Sequence, residues 1–175
     1  SVISWPLTRS TEDFQQFYIE HLNAVYFPGN LEKFFPNLEV VKLWDSNVKY
    51  VENFDLRFLT KLKYLSLEDN AIEVLQTDLF YFNSQLIEVH LQNNKIKFIG
   101  ARLLFPLTKL KVANFKTNIC VDVSADSPEL LKTLSKVIDE NCSAPEFLTK
   151  KNSEFIKKTV ELNSVSYTHL RAHET

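Results

Sequence analysis

Glycine and cysteine are scarce in this chain and methionine is missing altogether: its 175 residues include two glycines, two cysteines and no Met. With only Gly29 and Gly100, no glycine-rich loop is available to cradle a phosphate. No stretch approaches the roughly 18 consecutive apolar residues that a membrane-spanning helix requires, which excludes membrane insertion for the residues present. Basic clusters are missing too. The densest run, Lys150 and Lys151 with Lys157 and Lys158, is broken by acids and reads as a solvated helix face. A net charge of -2 and a pI near 6.1 argue against a nucleic-acid binder, which carries a clustered basic face. No charged-then-apolar leader precedes the first patterned residues, so the N-terminus is expected to be missing or processed. At 45% hydrophobic and 24% charged, the composition is ordinary for one soluble globular domain.

What is present is a period. Leu38, Leu62, Leu86 and Leu110 stand 24 residues apart, and each opens the same pattern. Counting places from these leucines, the fourth holds Val41, Leu65, Val89 and Ala113, and the sixth holds Leu43, Leu67, Leu91 and Phe115. The ninth holds Ser46, Asn70, Asn94 and Asn118, the eleventh Val48, Ile72, Ile96 and Cys120. Val51, Leu75 and Ile99 take the fourteenth place, Leu56, Phe80 and Leu104 the nineteenth. One period earlier lies a worn first turn with Phe14, Phe17, Ile19 and Phe27, in which Leu22 occupies the asparagine slot. Places four and six both point inward only if that stretch is extended, because side chains alternate along a strand. Each turn therefore contributes one short strand, and Asn70, Asn94 and Asn118 follow where an amide can bond the main chain of the bend. A single turn cannot bury its own apolar face but stacked turns can, so this period predicts an α/β leucine-rich-repeat solenoid with a curved parallel sheet.

The ends differ from the repeats. Residues 1 to 13, with Val2, Ile3, Trp5 and Leu7, are expected to be the remnant of an N-terminal cap over about five repeats in 14 to 119. A C-terminal cap is expected over 120 to 142. There Ser127, Pro128 and Glu129 give an N-cap serine, a proline at the first helical position and an early acid. Leu130, Leu131, Leu134, Val137 and Ile138 form its apolar stripe, leaving Lys132, Lys136 and Asp139 wet. A bridge from Cys120 to Cys142 would close a loop worth about 3 kcal/mol; the alternative is two buried free thiols. Residues 143 to 163 read as a charged helical extension, and 164 to 175 (SVSYTHLRAHET) resemble translated adapter sequence. That tail is set aside, together with the pairing of His169 and His173.

The repeat and the Cys120/Cys142 closure together resemble the extracellular leucine-rich-repeat family, especially its secreted insect members. The segment 25 to 38, VYFPGNLEKFFPNL, is similar to a phrase common among them. The resemblance covers roughly residues 14 to 142 and implies an extracellular setting and recognition of a protein or peptide, without a cofactor. Relatives usually carry a cysteine-bearing N-terminal cap that is absent here.

Functional residues are expected outside the consensus, in columns facing the concave side of the sheet. The third column is Gln16, Val40, Tyr64, Glu88 and Val112; the fifth is Tyr18, Lys42, Ser66, His90 and Asn114. Glu20, Trp44, Glu68, Gln92 and Lys116 make the seventh, and His21, Asp45, Asp69, Asn93 and Thr117 the eighth. Trp44 stands out, because a large aromatic at an open place has no packing reason and tryptophan is a favoured binding anchor. Tyr18, Tyr64 and Val40 surround it, while Glu20, Asp45, Glu68, Asp69 and Glu88 concentrate negative charge near the lone cation Lys42. The expected role is non-catalytic recognition of a protein or peptide on this face. The alternatives are that Trp44 folds over its neighbours, that the acids merely solvate the sheet, or that the repeats are an adhesion spacer or receptor ectodomain. Ser66, His90 and Asp69 superficially suggest a hydrolase, but no oxyanion hole or strained nucleophile turn accompanies them. His21 and His90 fall on different columns with no cysteine near, so no metal is expected. One glycosylation sequon, Asn141-Cys142-Ser143, has the expected bridge cysteine at its centre.

Overall fold

Alternation of buried and open side chains forces the chain at places three to seven into an extended form, and every turn does deliver one strand there. The computed structural model describes residues 13–143. The chain divides into two units, Ser1–Ser143 and Ala144–Thr175, and the second lies outside the described residues. So do the expected cap residues 1–12, the extension over 144–163 and the tail 164–175 with His169 and His173. In chain order the elements are β1 (Gln16–Glu20), α1 (Leu31–Phe34), β2 (Val40–Trp44), α2 (Asn53–Leu56), β3 (Tyr64–Ser66), β4 (Val74–Leu75), β5 (Glu88–His90), β6 (Phe98–Ile99), β7 (Val112–Asn114), β8 (Ser124–Ala125) and α3 (Pro128–Asn141).

The main sheet runs β1-β2-β3-β5-β7-β8. Its first five strands are parallel, and β8 closes the end antiparallel to β7. β4 and β6 pair in parallel on the returning half of successive turns. The register aligns Gln16, Val40, Tyr64, Glu88 and Val112 across five strands, so residues one period apart are direct neighbours. Val41, Leu43, Leu65, Leu67, Val89, Leu91, Ala113 and Phe115 are completely buried, each of the Val, Leu and Phe side chains contributing about 1.5–3 kcal/mol on burial. Leu56 and Phe80 fill the space behind them, with Leu104 partly covered. The architecture is the leucine-rich-repeat solenoid that the period predicts, with Phe17 and Ile19 only half-buried in the worn first turn.

The ninth-place asparagines hold the bends. Asn94 Oδ1 accepts from Ile72 N at 3.0 Å, and its Nδ2 donates to Leu67 O at 2.8 Å and Leu91 O at 3.1 Å. Asn70 and Asn118 repeat the arrangement, Asn70 serving Val48 N and Leu43 O and Asn118 serving Ile96 N and Leu91 O. Each amide thus ties its own turn to the one before it. Ser46, with a shorter side chain, accepts from Leu22 N and donates to Trp44 O, a weaker version of the same clasp. Immediately before the ninth place the backbone turns left-handed: His21, Asp45, Asp69, Asn93 and Thr117 have φ between 47° and 57°. Asp, Asn and His tolerate that conformation better than most residues, which gives Asp45 and Asp69 a backbone reason for their identity.

The cap helix α3 starts at Ser127, whose hydroxyl accepts from Leu130 N at 3.3 Å, with Pro128 opening the first turn. Leu134 and Ile138 are buried, and Leu131 and Val137 pack at the margin. Leu130, expected on the apolar stripe, is instead exposed at the helix's first turn, on the edge of the buried face. Cys120 and Cys142 form a disulfide with their Cα atoms 5.2 Å apart, and no described cysteine is free. Cys142 O also accepts from Ile99 N at 2.8 Å, so the bridge fastens the helix to the last turns from two sides. Reducing it is expected to lower stability by about 3 kcal/mol for a loop of this size. Urea unfolding with and without reductant measures this, and coincident curves would contradict it.

One carboxyl on the returning half of the second turn is out of its usual range. Asp55 closes a reciprocal clasp at the start of α2, its Oδ2 accepting from Glu52 N at 2.9 Å. Burial raises its pKa from 3.8 to about 7, partly offset by that hydrogen bond. A folded-state pKa above the unfolded one means the group favours folding in its protonated form. Its contribution is full below pH 4 and is lost as pH rises through about 7. Asp55→Asn keeps an acceptor for Glu52 N and removes the charge. It is expected to match the parent near pH 4 and to exceed it by up to about 4 kcal/mol near pH 8. Urea midpoints across that range test this; a pH-independent difference would contradict it.

Candidate functional site

The third, fifth, seventh and eighth columns meet on the concave side, and their side chains interlock across rungs. Tyr18 and Trp44 stand edge to face, with ring centroids 6.5 Å apart. Lys42 lies between two phenols, its Nζ 5.4 Å from the Tyr18 ring centre and 4.8 Å from that of Tyr64. Tyr64 in turn stacks on His90 at 5.0 Å, and His90 Nε2 meets Glu88 Oε2 at 3.1 Å. The result is a continuous strip, Trp44-Tyr18-Lys42-Tyr64-His90, running across four strands. Trp44 is half-buried by its neighbours and still open on one side, while Tyr18 is 48% exposed.

Why these contacts form follows from the register. Tyr64 on the third column and His90 on the fifth, one strand on, are diagonal neighbours, a distance aromatic side chains can span. Beneath them Ser66 is completely buried, and its hydroxyl has no hydrogen-bond partner among the described residues. Ser66 and His90 are therefore not joined as nucleophile and base, since His90 directs Nε2 to Glu88 and its ring face to Tyr64. The Tyr64 phenol is pushed up, first by burial and then by the charges of Glu68 and Glu88, and stays a neutral donor at physiological pH.

Around the strip the acids have partners of their own. Glu68 accepts from Gln92 Nε2, Asp69 from Asn93 Nδ2 at 2.9 Å, and Asp45 meets His21 Nδ1 at 2.7 Å. Gln92 Oε1 is buried with no partner among the described residues. Val40 and Glu20 lie at the edges of the same surface, opposite Gln16 and Trp44 in the register. Among the described residues, no group of three or more His, Cys, Asp or Glu could hold a metal ion, and no helix is long and apolar enough to cross a membrane. The sequence did not reveal that Lys42 is clasped by two rings, nor that Ser66 lies covered.

Comparison with known proteins agrees with this geometry at the level of the fold. Residues 60–114 match the family model described as leucine rich repeat, and no curated protein matches the chain. Among solved structures, a chain of the Toll–Spatzle complex of Drosophila is similar at 19% identity and a TM-score of 0.57, over 61% of this chain and 14% of that one. An internalin from Listeria monocytogenes is similar at 23% identity and a TM-score of 0.45, over 62% of this chain and 30% of that one. The chain thus spans well under half the length of either. Five strands in one register and a ladder of asparagines clasping successive turns give this chain the leucine-rich-repeat solenoid fold, and residues 60–114 carry the matched repeat.

Proposed function

We propose that the protein is a non-catalytic recognition module that binds an extended protein or peptide segment on its concave face, with Trp44, Tyr18 and Tyr64 as the apolar floor. The observation that carries this reading is the continuous aromatic strip on a face the fold leaves uncovered. Ordinary solenoid packing does not require it, and exposed aromatics are favoured binding anchors. The rim of Glu20, Asp45, Glu68, Asp69 and Glu88 favours a basic partner, because Lys42 is already engaged by two rings. Val40, His90 and Gln92 complete the surface. That a structure of similar fold comes from a Toll–Spatzle complex is consistent with a protein ligand. The Cys120–Cys142 bridge favours an oxidising, extracellular setting.

A second reading, an adhesion spacer or receptor ectodomain fragment, is consistent with this chain's covering 14% of the similar chain from the Toll–Spatzle complex. The two are separated by selecting random linear peptides on the immobilised protein, and in parallel on its Glu68→Lys variant. Recognition predicts that the parent enriches Arg- and Lys-bearing sequences and that the variant loses this preference. Identical pools from both proteins would sink the concave reading.

A further inference from the structure

On the opposite, convex side the structure exposes a second aromatic surface. Phe34, Phe58 and Phe82 stand one period apart on three successive turns, and Phe54, Tyr81 and Phe105 flank them; all six are between 45% and 70% exposed. Within each turn they are knitted together. Arg57 lies 4.3 Å over Phe54 and 4.5 Å over Phe58, Arg102 lies 4.2 Å over Phe105, and Tyr81 meets Phe82 edge-on at 4.9 Å. Neighbouring turns are tied as well, Asn53 Nδ2 donating to Asp78 O at 2.5 Å. If each ring presents about half of an aromatic side chain's roughly 200 Å², the ridge offers about 600 Å². That is at the top of what a monomer usually leaves open and, with its flanking residues, close to the roughly 800 Å² per partner of a stable interface.

We propose that this ridge is the interface of a two-fold homodimer in which two copies pack back to back with their turns in reversed order. Charge decides for a second copy and for its direction. Along the ridge Lys33, Arg57, Asp78 and Arg102 fall one on each of four turns, beside the half-buried Glu32 and Asp55, and Arg57 and Asp78 have no ion-pair partner among the described residues. A two-fold axis lying across the ridge between the second and third turns sets Arg57 of each copy against Asp78 and Tyr81 of the other. The same operation brings Lys33 and Arg102 to the same end, a like-charge pair offset by the rings each faces, Lys33 against Phe105 and Arg102 against Phe34. An axis along the ridge would instead set every charge against its own copy, Arg57 against Arg57 and Asp78 against Asp78, with no opposite pair to offset the repulsion. The interface is isologous, so each contact occurs twice.

Sedimentation velocity on the full chain over a concentration series tests the proposal. The wild type is expected to dimerise. Arg57→Asp and Asp78→Arg should each raise the dissociation constant at least 30-fold, and the two changes combined in one chain should restore most of the loss. Phe58→Ala with Phe82→Ala should give a monomer with an unchanged circular dichroism spectrum, since both side chains are already half open to solvent. A wild type monomeric at about 100 μM, a dimer indifferent to the charge changes, or a monomer that covers these rings only on binding a different protein would each overturn it.

Discussion

Asn94→Ala is expected to cost about 3–5 kcal/mol, a large share of the 5–15 kcal/mol that holds a typical domain together. The amide serves one main-chain donor and two buried main-chain acceptors at 3.1 Å or less. Removing it strands Ile72 N in the interior, where an unsatisfied polar group costs about 1–3 kcal/mol, and takes one of two amide donors from each of Leu67 O and Leu91 O, which keep those of Asn70 and Asn118, at about 1 kcal/mol apiece. Leu67, Ile72, Leu91 and Ile96 around these groups are completely buried. Asn94→Asp should be comparably damaging, since it keeps the acceptor, loses both donors and adds a charge beside carbonyl oxygens. The exposed neighbour Asn93 provides the control: Asn93→Gly retains the left-handed backbone at φ 55° and should change stability by only a few tenths of a kcal/mol. Urea unfolding of the three variants measures the contrast. A loss at Asn94 no larger than at Asn93 would contradict the ladder's role.

Trp44→Ala is expected to weaken the binding of peptides selected on the wild type by tenfold to a hundredfold, about 1.4–2.8 kcal/mol. Trp44 meets Tyr18 edge to face, a contact worth about 0.5–1.5 kcal/mol, so the fold should lose little. Glu68→Lys should act differently, weakening binding mainly at low salt, because its contribution is long-range attraction. Changing Asp69 is a poorer probe: its φ of 54° suits Asp or Asn, so Asp69→Lys would strain the backbone while Asp69→Asn would not. Lys132→Ala on the exposed face of α3 should leave affinity unchanged. Fluorescence titration with a labelled selected peptide gives all of these constants. Equal affinities for wild type and Trp44→Ala would remove Trp44 from the site.

The solenoid was readable because its cause is local and repeated. Side chains that alternate at places four and six, an asparagine at nine and another aliphatic at eleven leave one way to bury every turn. Ser127-Pro128 and the two cysteines marked the cap for equally local reasons. The columns of the concave face were readable too, since a constant period fixes the parallel register. What the columns do with their side chains was not. Lys42 could extend to solvent or lie between Tyr18 and Tyr64, and only packing decides. Ser66 is small enough for Tyr64 and His90 to close over it, a consequence of one neighbour on its own strand and one on the next. The left-handed eighth place did leave a signal, since His21, Asp45, Asp69 and Asn93 are residue types that tolerate positive φ. The convex ridge left one as well. Phe34, Phe58 and Phe82 recur at the same period but lie two places beyond the nineteenth, where the aligned consensus ends.

Hydroxyl-radical footprinting of the protein with a saturating selected peptide tests the central claim most directly. Oxidation at Tyr18, Trp44 and Tyr64 should fall severalfold on binding, while Tyr81, Phe82 and Phe105 on the convex side react as in the free protein. Protection confined to the convex rings, with Trp44 as reactive as before, would contradict concave recognition.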